Sequence, residues 1–89
     1  MNVAWSPPRT ITYLTANWCA PCKTLLPKVR DLADELGVRL DVIDVDRDPW
    51  KVPSGVMGVP TIFVRTNGEV TSQLSPDTAT IPALRKALS

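Results

Sequence analysis

The chain of 89 residues has no histidine and only two cysteines, and these two scarcities restrict the chemistry that it can support. A structural zinc site needs about four protein ligands, drawn mostly from those two residue types. One chain cannot supply them, so metal binding would require a second copy or external thiols. A small extracellular scaffold held by disulfides needs more than one bridge at this size, so that class is not favoured either.

Strong charge of one sign and long apolar runs are also missing. Ten basic and nine acidic residues give a formal net charge of +1, which suggests neither a nucleic-acid nor an acidic-membrane partner. No apolar run is long enough for a membrane span, and residues 1–9 lack the hydrophobic stretch of a signal peptide. We therefore expect a cytoplasmic protein with a single domain over residues 1–89, because this length gives room for one core.

The two cysteines lie within one short motif, WCAPC, at residues 18–22. Before the motif, residues 10–15 have the alternating, β-branched pattern of a strand. After it, residues 22–36 carry apolar residues at helical spacing. The motif is therefore predicted to lie at a strand-to-helix turn, with Cys19 just before or at the first turn of the helix.

This predicted position favours the thiolate form of Cys19. The first turn of a helix has unpaired N–H groups and the positive end of the dipole, so a cysteine there has a lowered pKa. Pro21 suits the same turn because its missing N–H would have no partner there. We expect Cys19 to be exposed and Cys22, one turn further in, to attack a mixed disulfide formed by Cys19. A purely structural disulfide is the alternative, but so short a loop removes little entropy from the unfolded chain.

The remaining sequence predicts a small α/β arrangement. The Asn67-Gly68 pair is a strong hairpin signal, whereas Pro49 and Pro53 allow only a short or irregular helix between residues 46 and 58. Trp5 and Trp50 are interpreted as packing residues. The other predicted elements are strands at 38–45, 61–65 and 69–74 and a helix at 80–88.

Together these motifs resemble the thioredoxin family. The resemblance rests on WCAPC after a strand, Pro27 in the following helix, and the GVPT motif at residues 58–61, and it spans residues 10–88. It implies a minimal thioredoxin fold, with a four-stranded mixed sheet in the order 2-1-3-4 flanked by helices. It also implies that Pro60 is cis and lies against the cysteines. Many family members begin with a further strand and helix, so we expect an N-terminally truncated version.

The sequence departs from the family at the residues beneath the cysteines. Thioredoxins commonly have a buried aspartate six residues before the first cysteine, with a polar residue nearby on the next strand; the corresponding residues here are Tyr13 and Val42. Tyr13 is interpreted as a core residue whose hydroxyl finds a partner, and we expect water to accept the proton of Cys22. The loop at residues 74–77 replaces a common glycine and is expected to affect substrate choice.

The resemblance implies a thiol–disulfide oxidoreductase that reduces protein disulfides through Cys19 and Cys22, without a bound cofactor. A flat apolar surface is expected to receive the substrate, formed by Trp18, Ala20, Pro21, Val59 and Pro60.

Family analogy also implies partners: a thioredoxin reductase that uses flavin and NADPH, and ribonucleotide reductase as a client. The protein itself is expected to be a monomer. Two alternatives remain at this point. One is a glutaredoxin-like redoxin that supplies electrons to ribonucleotide reductase, and the other is a non-catalytic binding module with the same fold.

Overall fold

The computed structural model describes residues 8–89. The predictions of a short N-terminal arm and of a packing role for Trp5 fall on residues 1–7, outside this range. The strands are β1 (Arg9–Thr15), β2 (Arg39–Asp44), β3 (Thr61–Thr66) and β4 (Glu69–Leu74). The helices are α1 (Ala20–Leu36), α2 (Ile81–Leu88) and a short 3₁₀ helix (Pro49–Lys51).

The four strands form one mixed sheet in the order β2-β1-β3-β4, as predicted. β1 and β2 are parallel, and α1 connects them, since a parallel pair needs a crossover. β3 lies antiparallel to β1 and to β4. Asn67 and Gly68 have φ angles of 54° and 83°, so both turn residues of the β3–β4 hairpin occupy the left-handed region.

The ends of α1 are fixed by residues with specific capping roles. Cys19 is the N-cap residue, in extended conformation, and Pro21 lies in the first turn. At the other end Gly37 has a φ of 66°, and the N–H of Val38 donates to the carbonyl of Ala33. This left-handed glycine ends the helix and lets the chain enter β2.

The core lies between one face of the sheet and the two α-helices. In the register of β1 and β3, Ile11 is opposite Val64 and Tyr13 is opposite Ile62, which puts the four side chains on one face. The helix residues buried in the same cluster include Val29, Leu32, Ala33, Leu84 and Leu88.

Trp50 does not have the packing role predicted for it. It lies in the 3₁₀ helix with 74% of its surface exposed. None of the three residues of the 3₁₀ helix is buried, and the prolines at positions 49 and 53 limit its length. Among the described residues, no helix is both long and apolar enough to cross a membrane.

Candidate active site

The two cysteines are joined by a disulfide at the start of α1. Their Cα atoms are 5.2 Å apart, within the usual range for a disulfide. The N–H of Cys22 points at Sγ of Cys19, with an N···S distance of 3.2 Å. In the reduced protein this N–H and the helix dipole would both stabilise a thiolate on Cys19, which is the electrostatic arrangement predicted from the sequence.

The expectation that Cys19 is exposed is wrong for this disulfide form. Only 4% of Cys19 is accessible, and Cys22 is fully buried. The reason is local: Sγ of Cys19 is bonded to Cys22 on one side and lies 3.8 Å from the carbonyl oxygen of Val59 on the other. Cys19 is still the more accessible of the two cysteines.

The loop before β3 lies against the disulfide. The Val59–Pro60 peptide bond is cis, as the family resemblance implied. Thr61 holds the loop in place because its hydroxyl donates to the carbonyl of Gly58 at 2.6 Å. The carbonyl of Val59 thereby faces Cys19, and Pro60 is buried beside Ala20 and Pro21.

Tyr13 takes the position below the cysteines where the family commonly has an acid. Its side chain is fully buried, and its hydroxyl donates to the carbonyl of Cys22 at 2.7 Å. Burial raises the pKa of Tyr13 to about 12, so the phenol stays neutral at physiological pH. Tyr13 is registered beside Val42, and the buried polar or charged residues in the described range are Thr12 and Thr61, neither of them an acid.

Trp18 stands at the edge of the site with 70% of its surface exposed. Its indole N–H donates to Oδ2 of Asp46 at 2.7 Å, which holds the ring although little packs over it. The partner of Trp18 was not predictable, because the contact joins residues 28 positions apart.

The surface around Cys19 has two shallow, open grooves, one bordered by Pro60 and the other by Val59. The first groove, about 400 Å³, is lined by Ala20, Pro21, Thr24, Leu25, Lys28, Pro60, Pro76 and Ala79. The second, about 300 Å³, is lined by Trp18, Val45, Val52, Val56, Met57, Gly58 and Val59. The five predicted contact residues are divided between the grooves, and Pro76 comes from the loop expected to affect substrate choice.

The described residues contain no group of three or more His, Cys, Asp or Glu side chains placed to hold a metal ion. The side chains that do converge here are those of Cys19, Cys22 and Tyr13, with apolar residues around them. That set can perform thiol–disulfide exchange.

Sequence comparison matches residues 2–88 to the family model for thioredoxin. The chain is 36% identical over 63 residues to a thioredoxin of Listeria monocytogenes, covering 67% of this chain and 61% of that protein. It is 38% identical over 58 residues to a thioredoxin of Bacillus subtilis, covering 62% and 56%. The matched segment is thus less than two thirds of the length of either relative.

Solved thioredoxin structures also superpose on this chain. A mutant thioredoxin from Halobacterium salinarum superposes with a TM-score of 0.78 at 30% identity, covering 90% of this chain and 71% of that one. Fasciola hepatica thioredoxin superposes with a TM-score of 0.80 at 27% identity, covering 92% and 79%. With the family model matching nearly the whole chain, the protein belongs to the thioredoxin family.

Proposed function

We propose that the protein is a thiol–disulfide oxidoreductase that reduces disulfides in other proteins. The observation that carries the proposal is the Cys19–Cys22 disulfide at the N-terminus of α1, facing the cis Val59–Pro60 loop. At this position the helix end stabilises the reduced form of the cysteine pair, because one of its sulfurs can then exist as a thiolate near neutral pH. A disulfide with only a structural role would gain nothing from that position.

The reaction has two exchange steps. The Cys19 thiolate attacks one sulfur of the client disulfide, a new S–S bond forms, and the other client sulfur leaves as a thiolate that takes up a proton. Cys22 then loses its proton and attacks Sγ of Cys19. The Cys19–Cys22 bond forms, the mixed disulfide breaks, and the client leaves with both sulfurs reduced. Two electrons have passed from this chain to the client.

Water accepts the proton of Cys22 in this scheme. The described residues place no carboxylate in the core beneath the disulfide. Tyr13 is a poor acceptor because its hydroxyl hydrogen is donated to the Cys22 carbonyl and its pKa is raised, so no phenolate is available. Its role in this scheme is to hold the start of α1 against β1.

The client binds as an extended segment across the Val59–Pro60 bond. Trp18, Ala20, Pro21, Val59 and Pro60 contact it, and the backbone of Val59 pairs with it in the manner of a strand. Apolar contact with partly exposed side chains provides affinity for many clients, whereas the two grooves select among them.

Further proposals concern the cellular setting. A thioredoxin reductase regenerates the dithiol in the cytoplasm, and ribonucleotide reductase is a client by analogy with the family. The protein acts as a monomer in electron transport and cell redox homeostasis.

Reduction of insulin by dithiothreitol tests the function directly. The wild-type chain should accelerate the precipitation of the insulin B chain, and Cys19→Ser should abolish the acceleration. A wild-type chain that folds but gives no acceleration would refute the proposed activity.

Two further comparisons separate the alternatives. Recovery of the dithiol with a thioredoxin reductase but not with glutathione supports the thioredoxin assignment over a glutaredoxin-like one. A cellular partner retained by the double variant Cys19→Ser, Cys22→Ser would instead support a binding module.

A further inference from the structure

Met57 is the most exposed large apolar side chain in the described part of the chain. It is 95% accessible, compared with 74% for Trp50 and 70% for Trp18. Such a side chain gains almost nothing from folding, because it stays in water. Single exposed apolar residues are common, but Met57 lies in the same groove as Trp18. The pair forms an apolar surface that only a partner can bury.

The groove that contains Met57 is continuous with the proposed client surface. Trp18 and Val59 belong to both, and Val59 contacts Sγ of Cys19. None of the seven residues that line this groove carries a charge. The occupant that fits is the part of a client chain next to its reacting cysteine, with an uncharged apolar side chain directed at Met57.

We propose that Met57 is an oxidation site, and that its conversion to methionine sulfoxide weakens the binding of clients at this groove. The inference rests on the proposed disulfide-reductase function and adds a means of regulating it. The oxidant is a hydroperoxide. The sulfur attacks the outer peroxide oxygen, the S–O bond forms as the O–O bond breaks, and the leaving oxygen takes a proton to become water or an alcohol.

Electrons balance in this step, since the thioether is oxidised by two electrons and the peroxide is reduced by two. The product is the reversible first stage of methionine oxidation, and methionine sulfoxide reductases restore the thioether. The exposure of Met57 gives a peroxide access to it, whereas Cys19 and Cys22 are protected in the disulfide form.

The sulfoxide weakens binding because its oxygen needs a hydrogen-bond donor that the groove side chains do not supply. The one N–H among them is the indole of Trp18, and it already donates to Asp46. A client that covers the groove would bury the polar S–O bond without a partner, at a cost in free energy. The KM for a protein client should therefore rise about fivefold, which corresponds to about 1 kcal/mol because each 1.4 kcal/mol is a factor of ten. The kcat should change little, because the cysteines are untouched.

The test starts from the full chain in its disulfide form, treated with hydrogen peroxide and then with catalase. Mass spectrometry of the intact protein and of its peptides locates the added oxygen on Met57 or on Met1, the other methionine. After reduction, the KM and kcat for insulin are compared with those of the untreated sample of the same variant. We expect oxidised wild type to show the raised KM, and methionine sulfoxide reductase to restore the original value.

Met57→Leu is the matched control, because it keeps a side chain of similar size and has no sulfur at this position. Its treated and untreated samples should have the same KM, although Met1 is still present. Met57→Gln places a polar group of similar length in the groove and should raise KM without any peroxide. Full oxidation of Met57 with no change in KM would overturn the proposal, as would an equal effect of peroxide on Met57→Leu. An untreated wild-type protein with no insulin reduction would instead refute the proposed function itself.

Discussion

The indole N–H of Trp18 donates a hydrogen bond of 2.7 Å to a carboxylate oxygen of Asp46, which follows β2. This bond fixes the orientation of an aromatic ring that is otherwise mostly in solvent. It also connects the WCAPC motif to a different part of the chain, so the shape of the client surface depends on a residue with no role in the exchange itself.

Asp46→Ala should therefore impair client binding more than thiol chemistry. With the acceptor removed, Trp18 samples other rotamers, and the KM for insulin should rise about threefold, which corresponds to the loss of one modest hydrogen bond. Asp46→Asn should keep the KM close to the wild-type value, because its amide oxygen can accept the same bond. Asp48→Ala, which removes a nearby acid whose side chain makes no capping bond, is the control. Equal KM values for Asp46→Ala and Asp48→Ala would show that the bond does not position Trp18.

Tyr13→Phe should leave the turnover of insulin reduction within about tenfold of wild type, a change of ~1.4 kcal/mol in the barrier. The variant loses the bond to the Cys22 carbonyl, and we expect about 1 kcal/mol of lost stability in denaturant unfolding. Stopped-flow kinetics should give an unchanged rate for formation of the mixed disulfide. If the fold survives but release of the client stops, Tyr13 is the proton acceptor and the water mechanism is wrong.

The stability of the wild-type protein should fall at alkaline pH in a way that depends on Tyr13. Its pKa is raised to about 12 in the folded chain, compared with about 10 when unfolded. The folded state then holds the phenol proton more tightly than the unfolded state. The stabilisation that follows from this difference is complete below pH 10 and is lost as pH rises towards 12. Tyr13→Phe should lack this part of the decline. Because Tyr13 is the only tyrosine, the absorbance of its phenolate reports the folded pKa directly; an onset near pH 10 in the folded protein would contradict the prediction.

Tyr13→Asp should make the protein less stable and its stability pH-dependent near neutrality. A carboxyl buried at this fully inaccessible position would have its pKa raised by desolvation. Its stabilising contribution would then be present at acid pH and be lost as pH rises through the raised folded pKa, the opposite of an exposed, ion-paired acid. Unfolding curves measured across this range, with Tyr13→Phe as the control, should show the slope in the aspartate variant alone.

Local sequence signals predicted most of the fold. The hairpin followed from Asn67-Gly68, whose positive φ angles are the conformation that this pair favours. The end of α1 at Leu36 coincides with the end of the helical pattern predicted for residues 22–36. The sheet order came from the family resemblance. Strand and helix boundaries differed by one or two residues, as at β2, where pairing with β1 decides which residues belong to the strand.

The site was predictable where its residues are adjacent in sequence, and less so where the contacts are long-range. Cys19, Cys22 and the cis Pro60 were found from motifs. The acceptor of Trp18 and the groove around Met57 depend on how residues 45–59 pack beside Trp18, and no local pattern encodes that packing. The burial of Cys19 was missed because it arises from the Val59 carbonyl, 40 residues away.

Trapping of the mixed disulfide tests the central claim, that Cys19 attacks and Cys22 resolves. Cys22→Ser leaves the nucleophile at the helix N-terminus and removes the thiol that releases the client. Incubated with an oxidised client, this variant should accumulate a covalent complex that dithiothreitol dissolves, and peptide mass spectrometry should locate the client on Cys19. Cys19→Ser should accumulate none. A complex that forms only in Cys19→Ser, with the client attached to Cys22, would contradict the account.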